Sequence, residues 1–220
     1  MARRGPLVTA VVVLVGLAGF LAVNSAGGLV RTSNGTAVPA ATEAYGQPPP
    51  TSQVPAQTTT AAPAFPAEVV YAGKAKPGRL AIAVAVKGEQ AAAYLCDGRK
   101  IEAWLRGTAT QGKVALSTKD GSSRLIAALD GQNLTGTAST GGREYPFTIG
   151  VAKPPAGLYR GANGSTTIGW IVLPDGSQVG IATTGATSEP APELNTQAGA
   201  VTVNGRQIEA DKVAGDTTFG

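Results

Sequence analysis

The strongest constraint on the fold is a series of short segments in which large and small side chains alternate, each bounded by a glycine-containing turn. In residues 80–87, Ile82, Val84 and Val86 share one face and alanines occupy the other. A period of two indicates a β-strand, because successive side chains of a strand point to opposite faces. Six more such segments follow at residues 90–96, 100–106, 113–118, 124–129, 133–138 and 143–151. Seven short strands at this spacing predict an antiparallel meander, closed as a small barrel or folded as a sandwich.

The alternating pattern resumes after a Lys-Pro-Pro break at residues 153–155. Residues 157–160 form a short strand, and residues 166–173 and 178–184 predict a hairpin in which Trp170 faces the core. A polar loop at 185–199, a second hairpin at 200–213 and a frayed end follow. We therefore predict an all-β fold, with a meander over 69–152 and C-terminal hairpins over 153–220 that pack on it.

Two dipeptides carry the strongest hairpin signals in the chain. Asp97-Gly98 and Asn204-Gly205 each lie between alternating segments. A type I′ turn needs a positive φ at both central positions, which Asp-Gly and Asn-Gly adopt readily. Both dipeptides are predicted to form such turns.

The N-terminus predicts a membrane anchor. Residues 7–23 are 17 uncharged residues that follow Arg3 and Arg4. As a helix they would be about 25 Å long, near the lower limit for a membrane span. We predict a cytoplasmic start and signal-anchor over residues 1–30, with everything after the span outside the plasma membrane. The alternative is a cleaved signal peptide, for which small residues at 23–26 offer a site, and the protein is then secreted.

A proline-rich stalk is predicted between this anchor and the β-region. Eight of the 15 prolines fall in residues 1–68, and residues 31–68 hold almost no large apolar side chain. Such a segment buries too little apolar surface to offset its chain entropy. We predict a disordered linker over 31–68 that separates the β-domain from the membrane.

The composition excludes several kinds of chemistry. The sequence has no histidine, the commonest general base and zinc ligand, and its one cysteine, Cys96, cannot form an intramolecular disulfide. We predict that Cys96 is buried, with intermolecular pairing as the alternative. From Val69 onward, 15 basic and 12 acidic side chains are scattered, whereas a nucleic-acid surface needs clustered cations. We therefore predict no enzyme, no catalytic residues, no metal or cofactor site and no nucleic-acid partner.

Three motifs resemble exported, proline-rich membrane proteins of actinobacteria, a group without an assigned activity. They are IAVAVKG at 82–88, AYLCDG at 93–98 and GWIVLPDG at 169–176. The resemblance covers most of the chain after residue 65. It implies placement in the cell envelope and carries over no site residue.

Three residues are candidates for binding a partner. Trp104 is predicted on the strand face of Glu102 and Arg106, where a half-exposed ring can bind a sugar or a partner, or can cap the end of a barrel. Tyr159 and Arg160 begin a segment that we interpret as a loop joining the two β-regions. We predict a non-enzymatic binding or scaffold module of the envelope, whose partner is an envelope protein, a wall polymer or a lipid. The alternative is a carrier that holds a lipid or other apolar ligand inside the barrel.

Overall fold

The computed structural model describes residues 63–203 and 205–219. The described residues form fourteen β-strands and no helix, which confirms the predicted all-β class. All strand pairs are antiparallel. In chain order the strands are β1 (Glu68–Lys74), β2 (Ala81–Lys87), β3 (Gln90–Cys96), β4 (Glu102–Thr110), β5 (Lys113–Ser117), β6 (Arg124–Asp130), β7 (Asn133–Thr140), β8 (Arg143–Val151), β9 (Gly157–Asn163), β10 (Thr166–Val172), β11 (Gln178–Thr184), β12 (Thr187–Pro190), β13 (Ala200–Val203) and β14 (Arg206–Lys212).

Strands β1 to β8 form a closed barrel in chain order. Of the two predicted forms, the meander therefore adopts the barrel. The barrel has eight strands rather than the predicted seven because β1, which precedes the recognised pattern, is the strand that closes it. Tyr71 pairs with Val151 and Ala72 with Gly150, so that β1 joins β8.

The barrel interior is filled by one apolar cluster. Leu95, Leu105, Leu125 and Leu134 are fully buried in it, and Phe147 is 4% exposed. Eight strands enclose a space that side chains of this size can fill. The interior is therefore a packed core.

The remaining strands form a six-stranded, curled sheet in the order β12-β11-β10-β9-β14-β13. One face packs on the outside of β2 and β3, where Ala83, Ala92 and Cys96 meet Ile171 and Ile181. Both faces of β2 are therefore buried. Its large residues fill the barrel, and its alanines, also buried, allow the second sheet to approach closely.

Two local predictions were wrong. Asp97-Gly98 does not form a two-residue turn, because Cys96 pairs with Glu102 and leaves a five-residue loop. The Asp97 carboxylate accepts hydrogen bonds from three N–H groups of that loop.

The polar segment 185–199 contains strand β12, which pairs with β11 at the sheet edge. All four β12 residues are exposed, so no alternation in hydrophobicity marks the strand. In the second predicted turn, Asn204-Gly205, the residue Asn204 lies outside the described residues.

The predicted anchor at 7–23 and most of the predicted stalk lie outside the described residues. Within the described part, no helix is long and apolar enough to cross a membrane. The described end of the stalk, residues 63–67, contacts the barrel: Phe65 packs edge-on against Tyr71, with ring centroids 6.3 Å apart.

Candidate functional site

A cleft of about 800 Å³ lies where the outer surface of the barrel meets the second sheet. Strand β4 and the β5–β6 loop supply one side. Strands β9, β10 and β11, together with the segment after β14, supply the other. Its lining residues are Glu102, Trp104, Arg106, Ser117, Thr118, Lys119, Arg160, Thr167, Thr183 and Phe219.

Strand β4 places three of these side chains by simple alternation. Ala103 and Leu105 point into the barrel core, so Glu102, Trp104 and Arg106 lie on the outer face. The sequence prediction that these three share a face is confirmed. The second sheet covers part of this face, so that Trp104 is half-buried while Arg106 stays exposed.

Trp104 lies in the centre of a row of three aromatic rings. It stacks on Tyr94 of β3, with centroids 4.1 Å apart and an interplanar angle of 27°. On the other side Phe219 lies 4.6 Å away, tilted by 48°. Contacts between aromatic rings stabilise a structure beyond the area they bury. The barrel and the C-terminal segment are thereby joined by ring contacts in the cleft.

Gly169 of β10 makes room for this row. A Cβ atom at this position would lie 2.6 Å from a Trp104 ring carbon and 2.7 Å from Cζ of Tyr94. Both rings are rigid and packed, so neither can yield as a flexible side chain would. The absence of a side chain at this position is therefore required for the stacked arrangement.

Replacing Gly169 with alanine should lower the free energy of unfolding by about 1–3 kcal/mol, the usual cost of overpacking. Denaturant titration measures this loss, and a change in tryptophan fluorescence at zero denaturant reports displacement of Trp104. The matched control is Gly164→Ala in the β9–β10 turn. Gly164 has a positive φ, so alanine has a backbone cost of its own there, but nothing lies within 4 Å of the added Cβ and the native fluorescence should stay unchanged. An unchanged native spectrum for Gly169→Ala would contradict the prediction.

The carboxylate of Glu102 accepts hydrogen bonds from both the barrel and the second sheet. Tyr94 of the barrel donates its hydroxyl to Oε1 at 3.0 Å, and Thr183 of β11 donates to Oε2 at 3.0 Å. Burial, together with the nearby Cys96 and Glu102, raises the pKa of Tyr94 far above its ordinary value. Tyr94 therefore stays protonated and remains a donor. Glu102 is fixed as a hydrogen-bond acceptor at the edge of the cleft.

Three cations line the cleft against this one carboxylate. Arg160 is half-buried, with its guanidinium carbon 6.0 Å from the ring centroids of both Trp104 and Phe219. Arg106 and Lys119 are exposed. Among the described residues, none of the three has a carboxylate within 4.0 Å. Asp211 is the cross-strand neighbour of Arg160, yet it forms no ion pair with it.

The β5–β6 loop that carries Lys119 is ordered by its own hydrogen bonds. The backbone N–H and the hydroxyl of Ser122 both donate to Asp120. Hydrogen bonds from Thr118 and Ser122 lower the pKa of Asp120 to about 2. The Asp120 carboxylate is therefore engaged by hydrogen bonds within its own loop.

The segment after β14 is not frayed as the sequence suggested. Lys87 and Asp216 form an ion pair of 2.9 Å, and Gly215 is buried against the β2–β3 turn. A Cβ at Gly215 would lie 2.4 Å from the Lys87 nitrogen and the Gln90 oxygen, so this close approach needs glycine. These contacts place Phe219 beside Trp104.

The structure brings together two of the three predicted binding residues. Trp104 and Arg160 line the cleft, whereas Tyr159 lies on the opposite face of the second sheet, 4% exposed, and donates its hydroxyl to the Pro155 carbonyl. Tyr159 and Arg160 are in the middle of β9, as the alternation over 157–160 predicted, so the interpretation that they begin a loop was wrong. Phe219 was missed, because no local pattern relates it to a tryptophan 115 positions earlier.

Cys96 is buried between the two sheets, as predicted, and burial raises the pKa of its thiol to about 11. Within residues 63–203 and 205–219, no three His, Cys, Asp or Glu side chains are grouped so that they could hold a metal ion. No protein-family model matches the sequence, and neither a curated protein nor a solved structure matches it.

Proposed function

We propose that this chain is a non-enzymatic, membrane-tethered binding module of a bacterial cell envelope, and that it binds its partner in the cleft between the barrel and the second sheet. The observation that carries the proposal is the composition of the cleft. It combines an aromatic row, hydroxyl groups and three cations without a carboxylate partner among the described residues, in a concavity of about 800 Å³, within the usual size of ligand sites.

The tethered and extracytoplasmic part of the proposal rests on the sequence. The uncharged run 7–23 behind Arg3 and Arg4 supports an anchor with its N-terminus in the cytoplasm. The proline-rich segment that follows supports a spacer. The resemblance to exported actinobacterial proteins agrees with both.

Glu102 favours binding over catalysis. Acid–base catalysis of glycoside hydrolysis needs two carboxylates across a cleft, and Glu102 is the single carboxylate among the described lining residues. Each of its oxygens accepts one hydrogen bond, from Tyr94 or from Thr183, and keeps a lone pair for a donor group of a ligand.

A carrier with its ligand inside the barrel receives less support. Such a carrier needs an apolar cavity, and the barrel interior is occupied by leucine, valine, isoleucine and aromatic side chains that are almost fully buried. We therefore place the ligand outside the barrel.

Site-specific photo-cross-linking in intact envelopes tests the proposal. A photoreactive amino acid at Ser117 or Thr167, which line the cleft, should yield a discrete adduct. The control position is Ile126, a 58% exposed residue on β6 that does not line the cleft. Binding in the cleft would be contradicted if neither cleft position gave an adduct, or if Ile126 gave the same adduct as the cleft positions.

A further inference from the structure

The cations of the cleft indicate the class of ligand. Arg106, Lys119 and Arg160 face one carboxylate, and that carboxylate is engaged by two protein hydroxyls. Unpaired cations gathered around a concavity attract an anionic ligand. Arg160 is also pre-positioned, because its guanidinium lies near the two rings and pairs with no carboxylate of the described residues.

The other lining groups suit a polyhydroxylated ligand. Ser117 and Thr167 offer hydroxyl groups, and Glu102 offers acceptor oxygens. Phe219 forms an apolar wall beside them together with the edge of Trp104, whose ring lies between those of Tyr94 and Phe219. Sugars present both hydroxyl groups and apolar C–H faces, and aromatic side chains pack against such faces while their polar neighbours bind the hydroxyls.

We infer that the cleft binds an acidic saccharide, with Arg160 pairing with its carboxylate or phosphate group and the wall formed by Phe219 and the edge of Trp104 contacting its ring. The inference rests on the proposed function and specifies its ligand. An arginine fork matches both carboxylate and phosphate oxygens, so the shared feature is an anionic group on a sugar.

Other ligand classes fit the cleft less well. A lipid tail would bury the three cations without a partner, which is costly. A folded protein partner needs roughly 800 Å² of surface on each side, and a protein surface of that size is broad, whereas this site is a concavity. A saccharide chain is narrow enough to enter.

Calorimetric titration of the full-length chain in detergent tests the inference with matched pairs of probes. One pair is an oligogalacturonate and its methyl ester, and the other is phosphorylated maltotriose and maltotriose. In at least one pair the acidic form should bind at least tenfold more tightly than its uncharged counterpart, and its affinity should fall as salt is added. The pair that shows the larger difference identifies carboxylate or phosphate as the anionic group.

Variants locate the interaction. Arg160→Gln should weaken binding of the acidic form at least tenfold and leave the uncharged form little changed, while Arg160→Lys should restore part of the affinity. The control is Arg79→Gln, an exposed arginine outside the cleft, which should bind as the wild type does.

Three outcomes would overturn the inference. They are equal affinity for the acidic and uncharged forms, equal weakening by the Arg79 and Arg160 variants, and no binding at all to any of the four saccharides. If no saccharide binds but a cleft-specific adduct still forms in envelopes, only the ligand class is wrong. If neither saccharide binding nor the adduct is observed, the proposed function is rejected as well. Tighter binding of an oligothymidylate than of either acidic saccharide would assign the cations to nucleic acid instead.

Discussion

Replacing Trp170 with alanine is expected to lower the free energy of unfolding by about 3–5 kcal/mol, the range for truncating a large buried aromatic side chain. Trp170 is 1% exposed in the apolar cluster of the second sheet, and its indole N–H donates to the Pro192 carbonyl at 2.8 Å. Two glycines, Gly161 and Gly180, leave the space that the ring fills. The variant would lose the ring contacts and leave a cavity that neither glycine can fill.

Equilibrium denaturation of the full-length chain measures this loss. The control Trp170→Phe retains most of the apolar contacts but loses the donor to Pro192, so it should cost less, about 1–3 kcal/mol. A loss below about 1 kcal/mol for the alanine variant would show that the ring does not hold the second sheet together.

The antiparallel meander was predictable because its strands carry an alternating pattern and their ends carry glycine, whereas the sequence left open whether it forms a barrel or a sandwich. In β5 the burial alternates in the same way as the sequence, with Val114 and Leu116 inside. Register followed from short turns: Gln111 and Gly112 both have positive φ and join β4 to β5 directly. Local signals of this kind specify which strands are neighbours and which side chains point inward.

The second sheet shows where local pattern was insufficient. Strand β12 is polar and exposed on every residue, since an edge strand is stabilised by backbone pairing and needs no apolar face. The alanine face of β2 forms the contact with the other sheet, and nothing in the alternation of β2 identifies that contact. Whether small residues are exposed or closely packed depends on tertiary partners, which the segment itself does not encode.

The site could be predicted only in part for the same reason. Trp104 was noticed because a large aromatic side chain lay between charges on an outer face. Its partners Arg160 and Phe219 come from elements 56 and 115 residues later in the chain. Their convergence follows from how the second sheet packs on the barrel. Tyr159 and Arg160 are adjacent in sequence but point to opposite faces of β9, so Tyr159 lies in the core of the second sheet and Arg160 lines the cleft.

Replacing Trp104 with alanine should separate the contribution of the cleft from that of the core. The ring is half-buried, so we expect a smaller loss of unfolding free energy than for Trp170, about 2–3 kcal/mol. The variant should also bind its ligand more weakly. Tyr94 and Phe219 would both lose their ring partner, and Arg160 would lose one of the two rings beneath it. A central aromatic anchor of this kind contributes about 2 kcal/mol or more to binding, which is a loss of roughly 30-fold in affinity.

The matched control is Leu134→Ala, which removes a fully buried side chain from the barrel interior without touching the cleft. It should cost about 2–5 kcal/mol, as much as the Trp104 variant or more, yet at temperatures where both proteins are folded it should form the cleft adduct as the wild type does. Trp104→Phe retains a ring and should form an intermediate amount of adduct. If Leu134→Ala and Trp104→Ala lost the adduct in proportion to their loss of stability, capture would depend only on how much protein is folded. Loss confined to the Trp104 variants is the result expected if the stacked rings are themselves part of the binding surface.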